Sequence, residues 1–437
     1  MSPARRRSKS PSTALLSFDE AAALVAVHAA KVARIRPGPR SLGIERVRLN
    51  EAFGRVLAEP LRADADQPPF ARSTRDGFAC RAAEVSTHRP LAVVGSTRAG
   101  QSPSDSLPRG SAWEIMTGAP VPAGADAVVM LEHVEETGAS SARTIRLEPS
   151  RTIRKGENIV ARGAQARKGD KVLPTGTLIT AAQIALAASC GSTKLDVFQK
   201  PRVAILSTGD ELVSIGSSPG PSQIRNSSSA MLAAMVSAAG GDPWIMPIAR
   251  DTAKSLDAAL ARTAAAHLLL ITGGVSAGKF DLVEPALVRA GARFHFTGVS
   301  IQPGKPLVFC ELPRRPTNSV QNQNRTKCCF GLPGNPVSSA VTFLLFAAPV
   351  VAALGGRRDF GPRFTLACLA ENVKTKPGLT RFLPAACTFA GPIPEVALVP
   401  WQGSGDLAAM ARANCFLVVP EDSNRLRAGA TARILLS

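Results

Sequence analysis

Short apolar runs and longer amphipathic segments alternate along the chain from residue 202 to about residue 310. The runs VAILS, WIMPI and HLLLI have the length and the aliphatic character of buried strands, and segments between them, such as AKSLDAALARTAA, have the spacing of helices. Strands that alternate with helices of this length are typical of βαβ units. The pattern therefore predicts an α/β domain with a parallel, doubly wound sheet, whose ligands bind beyond the carboxyl ends of the strands.

Shorter alternating runs lie on both sides of this region. From residue 62 to 162 they include LAVVG and AVVML and are separated by Gly and Pro turns at a spacing of about 8–12 residues, which is typical of a small barrel or sandwich. After residue 356, runs such as NCFLVVPED and GATARILLS predict a second small β domain.

Helical and extended segments flank the first β region. Ser17 and Glu20 have the spacing of a capping box at the start of an amphipathic helix, and RVRL further along indicates a strand. The segment TAAQIALAASCG predicts a second helix that ends with Gly191 as its C-cap. We expect this second helix to pack on the first.

These patterns divide the chain into four domains. They are a composite N-terminal domain of helical and extended segments at 13–61 with 163–198, a small β domain at 62–162, the α/β domain at 199–355 and a C-terminal β domain at 356–437. Residues 313–327, PRRPTNSVQNQNRTK, are polar and without periodicity, and we expect a surface insertion there. A chain of 437 residues is long enough for several cores.

The chain is basic. It has 52 Lys and Arg against 33 Asp and Glu, a formal charge of +19 that favours anionic partners. Part of the excess lies in residues 1–12, whose Arg, Lys, Ser and Pro content predicts a disordered tail. The charge raises nucleic-acid binding as an alternative, but the sequence has no recognisable motif for it and only 5% aromatic residues. We expect no specific nucleic acid.

The cysteines and the apolar runs indicate a compartment. Eight cysteines are scattered without a C-x-x-C motif, which is typical of a reduced, cytoplasmic protein, and the vicinal pair Cys328 and Cys329 is assigned to packing. Acidic residues interrupt the first apolar run, so no signal peptide is expected. The longest apolar run starts at Ala340 and contains Pro349, which favours a buried helix over a membrane span.

Three loops at predicted strand ends carry the candidate chemistry. In TGGVSAGKFD, Gly273, Gly274 and Gly278 allow backbone N–H groups to approach an anion, and the loop ends in the acid Asp281. The alternative reading of this loop is a turn without a ligand.

A second loop, GLPGNPVSSA, precedes a predicted helix. Gly334 bends the chain, Pro336 suits the first helical turn, and Ser338 offers a hydroxyl at a helix N-terminus, which attracts anions. Lys305, in QPGKP, adds a point charge suited to a phosphate or another oxyanion.

The third loop, TGDEL, places Asp210 and Glu211 directly after the strand VAILS. Two acids at such an edge are either a solvated turn or a pair that binds metal and handles protons. Asp76 in STRDGFA and Thr117 in MTGAPVP also lie in predicted loops, within the first β region. Three acidic or anion-receptive loops on one sheet edge are less expected by chance than any single loop.

STRDGFA, MTGAPVP, STGDEL, TGGVSAGKFD, QPGKP and GLPGNPVS follow one another as they do in the MoeA/gephyrin E-domain family, the molybdopterin molybdenumtransferases. The chain resembles this family from about residue 15 to its end. The resemblance implies an enzyme of molybdenum cofactor biosynthesis that inserts molybdate into adenylylated molybdopterin with release of AMP, using Mg²⁺ as the divalent cation.

The same resemblance has consequences for architecture. It implies an elongated homodimer, a MogA-like α/β domain that binds molybdopterin, two small barrel-like β domains, and a composite N-terminal domain that acts as linker and dimerisation element. The active cleft is expected between the α/β domain of one subunit and the small β domain of its partner. The resemblance also suggests the molybdopterin adenylyltransferase as a protein partner.

The resemblance carries over to individual residues. It implies catalytic roles for Asp76, Thr117, Glu211, Asp251 and Asp281, with Glu211 and Asp281 also as metal ligands. The residues expected to bind the cofactor precursor are Gly273, Gly274, Ser276, Gly278, Lys305, Pro333, Gly334, Asn335, Pro336 and Ser338.

The sequence also departs from the family pattern. Gln302 stands where the family has a lysine, Ala164 and Gln165 where many members have an acidic pair, and Phe78 where a tyrosine is usual. Pro384 stands where a C-terminal arginine is expected, although Arg381 is close by. These departures keep open a catalytically degenerate, molybdopterin-binding scaffold. The molybdopterin adenylyltransferase is a further alternative, against which the long β regions argue.

Overall fold

The computed structural model describes residues 15–33, 43–139, 142–274, 282–313 and 326–437. The predicted basic tail at 1–12 lies outside the described residues, as do Ser276, Gly278 and Asp281 of the glycine-rich loop.

Helices and strands of these residues are labelled in chain order. The α-helices are α1 Phe18–Ala33, α2 Ala82–Val85, α3 Ala181–Ser189, α4 Ser227–Ala238, α5 Ala253–Arg262, α6 Val283–Arg289, α7 Pro336–Thr342, α8 Ala348–Leu354 and α9 Leu407–Arg412. The strands are β1 Ile44–Arg48, β2 Leu61–Arg62, β3 Arg72–Ser73, β4 Gly77–Cys80, β5 Leu91–Thr97, β6 Ser111–Ile115, β7 Ala127–Met130, β8 Val134–Thr137, β9 Thr144–Leu147, β10 Ile159–Val160, β11 Lys171–Leu173, β12 Lys194–Phe198, β13 Arg202–Ser207, β14 Leu212–Val213, β15 Ile224–Arg225, β16 Asp242–Ile245, β17 Leu268–Thr272, β18 Arg293–Phe296, β19 Ile301–Gln302, β20 Val308–Pro313, β21 Thr326–Leu332, β22 Phe364–Leu369, β23 Val373–Lys374, β24 Thr380–Thr388, β25 Glu395–Leu398, β26 Cys415–Val419, β27 Arg425–Leu426 and β28 Thr431–Leu436.

The α/β region is built on a six-stranded sheet in the order β16-β13-β17-β21-β20-β18. Strands β16, β13, β17 and β21 are parallel, as predicted. The predicted parallel sheet includes one antiparallel strand, β20, which runs antiparallel to both β21 and β18. Apolar clusters cover both faces of the sheet, which explains why its central strands are almost continuously apolar.

Cys328 and Cys329 lie on opposite faces of β21, one in each of the two clusters. Burial raises the pKa of Cys328 to about 12. The pair therefore serves packing, as its sequence context predicts.

Strand pairing corrects the predicted insertion at 313–327. Strand β20 continues through Pro313 and β21 begins at Thr326, and these two residues pair with each other. The ends of the polar stretch thus extend the β20–β21 ladder, since backbone hydrogen bonds need no apolar side chain at an exposed strand end. Residues 314–325 lie outside the described residues.

One long apolar helix runs through the core of the α/β region. Helices α7 and α8 are joined by a π-helical segment, Phe343–Ala347, into a continuous helix Pro336–Leu354. By length and composition alone this helix could cross a membrane, but 83% of its apolar window is buried inside the protein. It is a core helix that packs on the sheet, as the run from Ala340 predicts.

Helix α1 also belongs to this core. Glu20 and Ser17 form the predicted capping box, with the Ser17 N–H donating to Glu20 Oε2 (2.8 Å) and the Glu20 N–H to Ser17 Oγ (3.2 Å). Phe18 and Val25 of α1 pack in the cluster on the sheet, whereas α3 packs in a separate cluster with β12. The expected packing of α3 on α1 is therefore not observed among the described residues.

The two β regions differ in closure. Strands β4 to β9 form an open sheet in the order β7-β4-β6-β5-β9-β8. In the C-terminal region β24, β25, β22, β28 and β26 pair in a ring, because β24 pairs with both β25 and β26. Strand β19, which leaves the α/β region, joins this barrel beside β24.

Strand pairs connect the two halves of the composite N-terminal region. Strand β1 pairs with β12, and β2 pairs with β11, so residues 44–62 and 171–198 are joined by antiparallel ladders.

Candidate active site

A cavity of about 710 Å³ lies at the carboxyl edge of the α/β sheet, where β13, β17 and β21 end. This is the edge at which ligands bind in doubly wound folds. Among the described residues that line it, the charged side chains are Glu211, Arg225 and Lys305. A smaller cavity of about 540 Å³ between the core helix and the C-terminal barrel is mainly apolar.

Glu211 reaches the cavity through the turn that follows β13. Gly209 has a φ of +152°, and a Cβ at that position would lie 2.4 Å from Glu211 Oε2. The backbone of Glu211 is fixed from the other side, because its carbonyl accepts the Ile224 N–H at 2.8 Å. The φ of Gly209 is one that residues with a Cβ rarely adopt, so glycine suits the turn that carries Glu211 to the cavity.

Asp251 lies behind this turn and does not line the cavity. Its Oδ1 accepts the hydroxyl of Thr208 at 2.6 Å, and its N–H lies 3.4 Å from Asp210 Oδ1. Asp210 in turn is 3.7 Å from the guanidinium of Arg250. The structure thus separates the two acids of TGDEL: Glu211 faces the cavity, while Asp210 joins a surface network that holds the turn.

The glycine-rich loop begins at the cavity wall. Gly273 and Gly274 have φ values of +93° and +62°, and a Cβ on Gly273 would lie 2.4 Å from the carbonyl oxygen of Thr208. The backbone at Gly273 and the backbone at Thr208 therefore approach too closely for any side chain at Gly273.

The N-terminus of the core helix forms a further wall. Pro333, Gly334, Asn335, Pro336 and Ser338 all line the cavity, and Pro336 occupies the first helical turn as predicted.

The C-terminal barrel closes on this helix start. The Ser404 carbonyl accepts the N–H of Val337 at 3.0 Å, and the Asn335 side chain donates to Ser404 Oγ at 2.8 Å. The Val337 N–H, which could otherwise bind an anion, is therefore already hydrogen-bonded to the C-terminal region. Pro336, in the same turn, has no N–H to donate.

Two cations face this cavity. Lys305 is exposed at its wall, as the sequence predicts. Arg225 was missed, because IRN carries no phosphate-binding signature; its Nε donates to the Ser217 carbonyl at 3.1 Å. Its position follows from the pairing of β15 with β14, which begins directly after Glu211.

The barrel contributes residues that the sequence analysis also missed. Leu379, Trp401, Gly403 and Ser404 line the cavity from the C-terminal side. The available signal was the turn-rich WQGSG after the strand β25, but nothing local to it indicates an approach to β21.

Arg381 lies beside Gln302, the position where the family has a lysine. Gln302 pairs with Arg381 in the parallel ladder of β19 and β24, so the two side chains leave adjacent strands at the same level. The Arg381 guanidinium donates to the Lys376 carbonyl at 2.7 Å. Pro384, where an arginine was expected, is buried within β24.

Asp76 and Thr117 lie elsewhere, in the first β region. The Thr117 N–H donates to Asp76 Oδ1 at 2.6 Å, and this bond holds the pKa of Asp76 below its usual value. Both residues are exposed, and neither lines the cavity of the same chain. Phe78, which stands where the family has a tyrosine, is fully buried in the core of the sheet. Its ring contacts packed side chains and does not line the cavity.

The cavity has the groups needed to hold a hard cation such as Mg²⁺ together with a phosphate-bearing substrate. Mg²⁺ is commonly held by one or two carboxylates together with substrate phosphates rather than by an all-protein cage. Glu211 is the carboxylate among the described lining residues, and the cations and amides beside it suit phosphate.

Three sequence families match successive parts of the chain. They are the MoeA N-terminal region (domain I and II) over residues 16–191, the "Probable molybdopterin binding domain" over 204–353, and the MoeA C-terminal region (domain IV) over 367–436.

Individual relatives agree with these matches. The chain is 36% identical over 318 residues to a molybdopterin molybdenumtransferase from Nostoc sp., covering 71% of this chain and 70% of the relative. It is 32% identical over 398 residues to one from Haemophilus influenzae, covering 89% and 93%. A solved molybdopterin biosynthesis moeA protein from Pyrococcus horikoshii superposes with a TM-score of 0.76 at 28% identity, covering 97% of this chain and all of that one.

Proposed function

The chain belongs to the MoeA family, and from this premise we infer that it is a molybdopterin molybdenumtransferase of molybdenum cofactor biosynthesis. It inserts molybdate into adenylylated molybdopterin and releases AMP. The observation that carries the inference is the cavity at the carboxyl edge, which brings Glu211, Lys305 and the start of the core helix together around a space large enough for a pterin nucleotide.

The walls of the cavity suit the phosphates of this substrate. The positive-φ turn at Gly273 and Gly274 brings the backbone close to a bound anion, and Arg225 and Lys305 supply charge from two sides. Ser338, which is 5% exposed, offers a hydroxyl within the first turn of the helix. These groups bind and orient the pterin phosphate and the pyrophosphate.

Glu211 and Asp281 would hold Mg²⁺ against the pyrophosphate. When bound, the ion would polarise the phosphoryl oxygens and neutralise charge that develops as AMP leaves. Glu211 is held toward the cavity by the Gly209 turn, and the Asp251–Thr208 hydrogen bond keeps that turn in place.

Molybdate is a tetrahedral oxyanion and needs cations near the pterin. Lys305 supplies one. Arg381 stands beside Gln302 on the adjoining strand and replaces the charge of the lysine that is absent there.

Asp76 and Thr117 enter the reaction from a second copy of the chain. They lie in the first β region, outside the cavity of their own chain. A homodimer in which the β region of one subunit covers the cavity of its partner would bring them to the substrate. We place this enzyme in the cytoplasm, where its eight unpaired cysteines stay reduced, with the molybdopterin adenylyltransferase as the donor of its substrate.

The test is incubation of the purified protein with adenylylated molybdopterin, molybdate and Mg²⁺, followed by detection of AMP. Release of AMP and appearance of molybdenum-loaded molybdopterin are expected. Binding of the nucleotide without AMP release would favour the catalytically degenerate scaffold instead.

The metal role is tested by Asp281→Ala and Glu211→Gln, with Asp210→Asn as the matched control. Both former variants should lose AMP release by about 100-fold or more, because the charge on the leaving group is no longer neutralised. Asp210→Asn should keep most activity, since Asp210 lies on the outer side of the turn. Full turnover in Asp281→Ala or Glu211→Gln would contradict the metal role of that residue.

A further inference from the structure

A second group of metal-ligand side chains lies away from the cavity, at the β18 end of the α/β sheet. It consists of His28 on α1, His295 on β18 and Glu311 on β20. None of the three lines the cavity at the carboxyl edge. Helix α1 is far in the chain from β18 and β20, which pair with each other, so only the fold brings His28 to the other two side chains.

A β-bulge directs His295 toward the group. In the β18–β20 ladder Arg293 pairs with Glu311 and Phe294 with Cys310, but Phe296 pairs with Phe309, so His295 is the extra residue. An extra residue of this kind turns its side chain away from the regular pleat. The ring of His295 packs against Phe309 (centroids 4.9 Å) and against the ring of His28 (4.2 Å).

The helix fixes the orientation of His28. Its Nδ1 lies 2.9 Å from the carbonyl oxygen of Leu24, one helical turn earlier, and a carbonyl can only accept. Nδ1 therefore carries the proton. Nε2 is left unprotonated, and its lone pair is free to bind a metal ion. A histidine that binds metal through one nitrogen typically donates its other N–H to a backbone carbonyl in this way.

The second histidine, His295, has a buried ring nitrogen without a hydrogen-bond partner in the described part of the chain. Nε2 of His295 is buried and, among the described residues, is the buried side-chain nitrogen or oxygen without a hydrogen-bond partner. It lies 3.4 Å from Glu311 Oε2 but outside hydrogen-bond geometry. Buried polar atoms are almost always paired, so an unpaired one in a ligand cluster indicates a missing binding partner.

The ligand atoms of the three side chains all lie within 4.8 Å of one another. A tetrahedral Zn²⁺ ion with bonds of about 2.0 Å separates its ligands by about 3.3 Å, so small side-chain rotations complete the geometry. Two histidines and one glutamate form a recurrent Zn²⁺ ligand set, with water in the fourth position.

We propose that His28, His295 and Glu311 bind a divalent transition-metal ion, with Zn²⁺ as the best fit, at a site separate from the proposed magnesium site. Two imidazole ligands favour Zn²⁺ or Co²⁺ over Mg²⁺, which prefers oxygen. The bound ion ties α1 to the edge strand β18 and to its neighbour β20, and so adds a crosslink between residue 28 and residues 295 and 311.

Arg293 is the internal competitor for this site. Its guanidinium forms an ion pair with Glu311 Oε2, and Thr326 Oγ1 donates to the other carboxylate oxygen at 3.2 Å. The Arg293 side chain is 71% exposed, so it can move into solvent when a metal ion takes its place.

Co²⁺ titration of the metal-free protein tests this site, with Mg²⁺ present in excess to occupy hard-cation sites. One equivalent of Co²⁺ should produce the visible d–d absorption of a tetrahedral ion, and Zn²⁺ should displace it. His28→Gln and His295→Gln should each weaken binding by about 100-fold or more, and Glu311→Gln should also weaken it. His133→Gln, on the first β region, is the matched control and should bind as the unmodified protein does.

A variant outside the ligand set separates metal binding from a merely structural role. Arg293→Ala should bind Co²⁺ more tightly, by up to about 5-fold, because Glu311 is then released from its ion pair. Thermal unfolding of each metal-free variant shows that its fold is retained. Zn²⁺ should raise the unfolding temperature of the unmodified protein and of Arg293→Ala, but not that of His295→Gln.

Three outcomes would overturn the proposal. They are the absence of d–d absorption in the unmodified protein, equal Co²⁺ affinity in His28→Gln and His295→Gln, and a thiolate-to-cobalt charge-transfer band in the near ultraviolet. The last would assign the metal to cysteines instead. AMP release is not part of this test, so its result is independent of the proposed enzyme function.

Discussion

Single residues set how closely the loops of the cavity approach one another. Gly209 and Gly273 lie on neighbouring strand ends, and a Cβ on either would meet an atom at 2.4 Å. The sequence marks both as turn glycines, but it does not reveal that one makes room for the Glu211 carboxylate and the other for the Thr208 carbonyl. The Gly273–Thr208 contact exists only because β13 and β17 are neighbours in the sheet, whereas the Gly209–Glu211 contact is local to one turn.

Gly273→Ala should destabilise the protein and impair substrate binding together. The alanine would sit at a φ of +93° with its Cβ against the Thr208 carbonyl, so we expect a loss of about 1–3 kcal/mol in the free energy of unfolding. Urea-induced unfolding measures it. Gly216→Ala is the control, because nothing lies within 4 Å of a Cβ there, and it should change stability by less than about 0.5 kcal/mol. Equal effects of the two substitutions would contradict the close-approach argument.

The departures from the family pattern also belong to the residue scale. Gln302 alone suggests a lost charge, and Pro384 suggests a lost arginine. The ladder between β19 and β24 places Arg381 beside Gln302 and buries Pro384. Sequence spacing could not predict this, because the two strands are about 80 residues apart and their register is set by the barrel.

At the scale of elements, the short helix α9 holds the barrel segment that lines the cavity. Asp406 caps it by accepting the Ala409 N–H at 2.9 Å, and it also accepts the Gln402 N–H at 3.0 Å. Residues 401, 403 and 404 lie in the turn that these bonds close. The cap therefore positions Ser404 against the start of the core helix.

Asp406→Ala should lower the unfolding temperature and weaken binding of adenylylated molybdopterin. Asp406→Asn should have a smaller effect, since asparagine is an equally good N-cap for the Ala409 N–H but has no second oxygen for the Gln402 N–H. Hydrogen bonds from Ala409 and Gln402 hold the pKa of Asp406 below its usual 3.8. Because the pKa is lower in the folded state than in the unfolded state, the ionised carboxylate stabilises the fold at pH values above the unfolded-state pKa. This contribution is lost as the pH falls through the folded-state pKa.

The stability advantage of the unmodified protein over Asp406→Asn should therefore shrink between about pH 5 and about pH 2. Thermal unfolding of the two proteins across this range measures the difference. An advantage that stays constant on acidification would show that the carboxylate charge does not strengthen the cap.

The core helix shows how far an element can be predicted. Its apolar run and its start at Pro336 are evident in the sequence, and both are confirmed. The π-helical segment Phe343–Ala347 is not evident. Pro349 removes one backbone donor and crowds the preceding turn, and the extra residue per turn of a π-helix accommodates such a break.

At the scale of the whole molecule, the residues expected to form the active site lie in two separate regions of one chain. Asp76 and Thr117 form a hydrogen-bonded pair in the first β region, outside the cavity that their own chain provides. The resemblance predicts that a partner subunit unites the two halves, which is a statement about assembly that mixed dimers can test.

Asp76→Asn and Glu211→Gln are each expected to abolish AMP release. Mixing the two variants under conditions that exchange subunits should restore about a quarter of the unmodified activity, because half of the dimers are mixed and each has one intact site of two. No recovery, with subunit exchange verified by differently tagged chains, would contradict a cleft shared between subunits. The single variants alone, treated in the same way, are the controls.

The sequence alone determined the element order, the parallel core strands, the Pro336 helix start and the family, because these depend on local periodicity and on short motifs whose spacing is preserved in the chain. The tertiary structure decided which acid of TGDEL faces the cavity, that Arg225 and the C-terminal barrel line it, and that α1 packs on the α/β sheet. It also brought His28, His295 and Glu311 together. Such contacts join residues far apart in the chain, and strand register and packing, which no local pattern records, decide them.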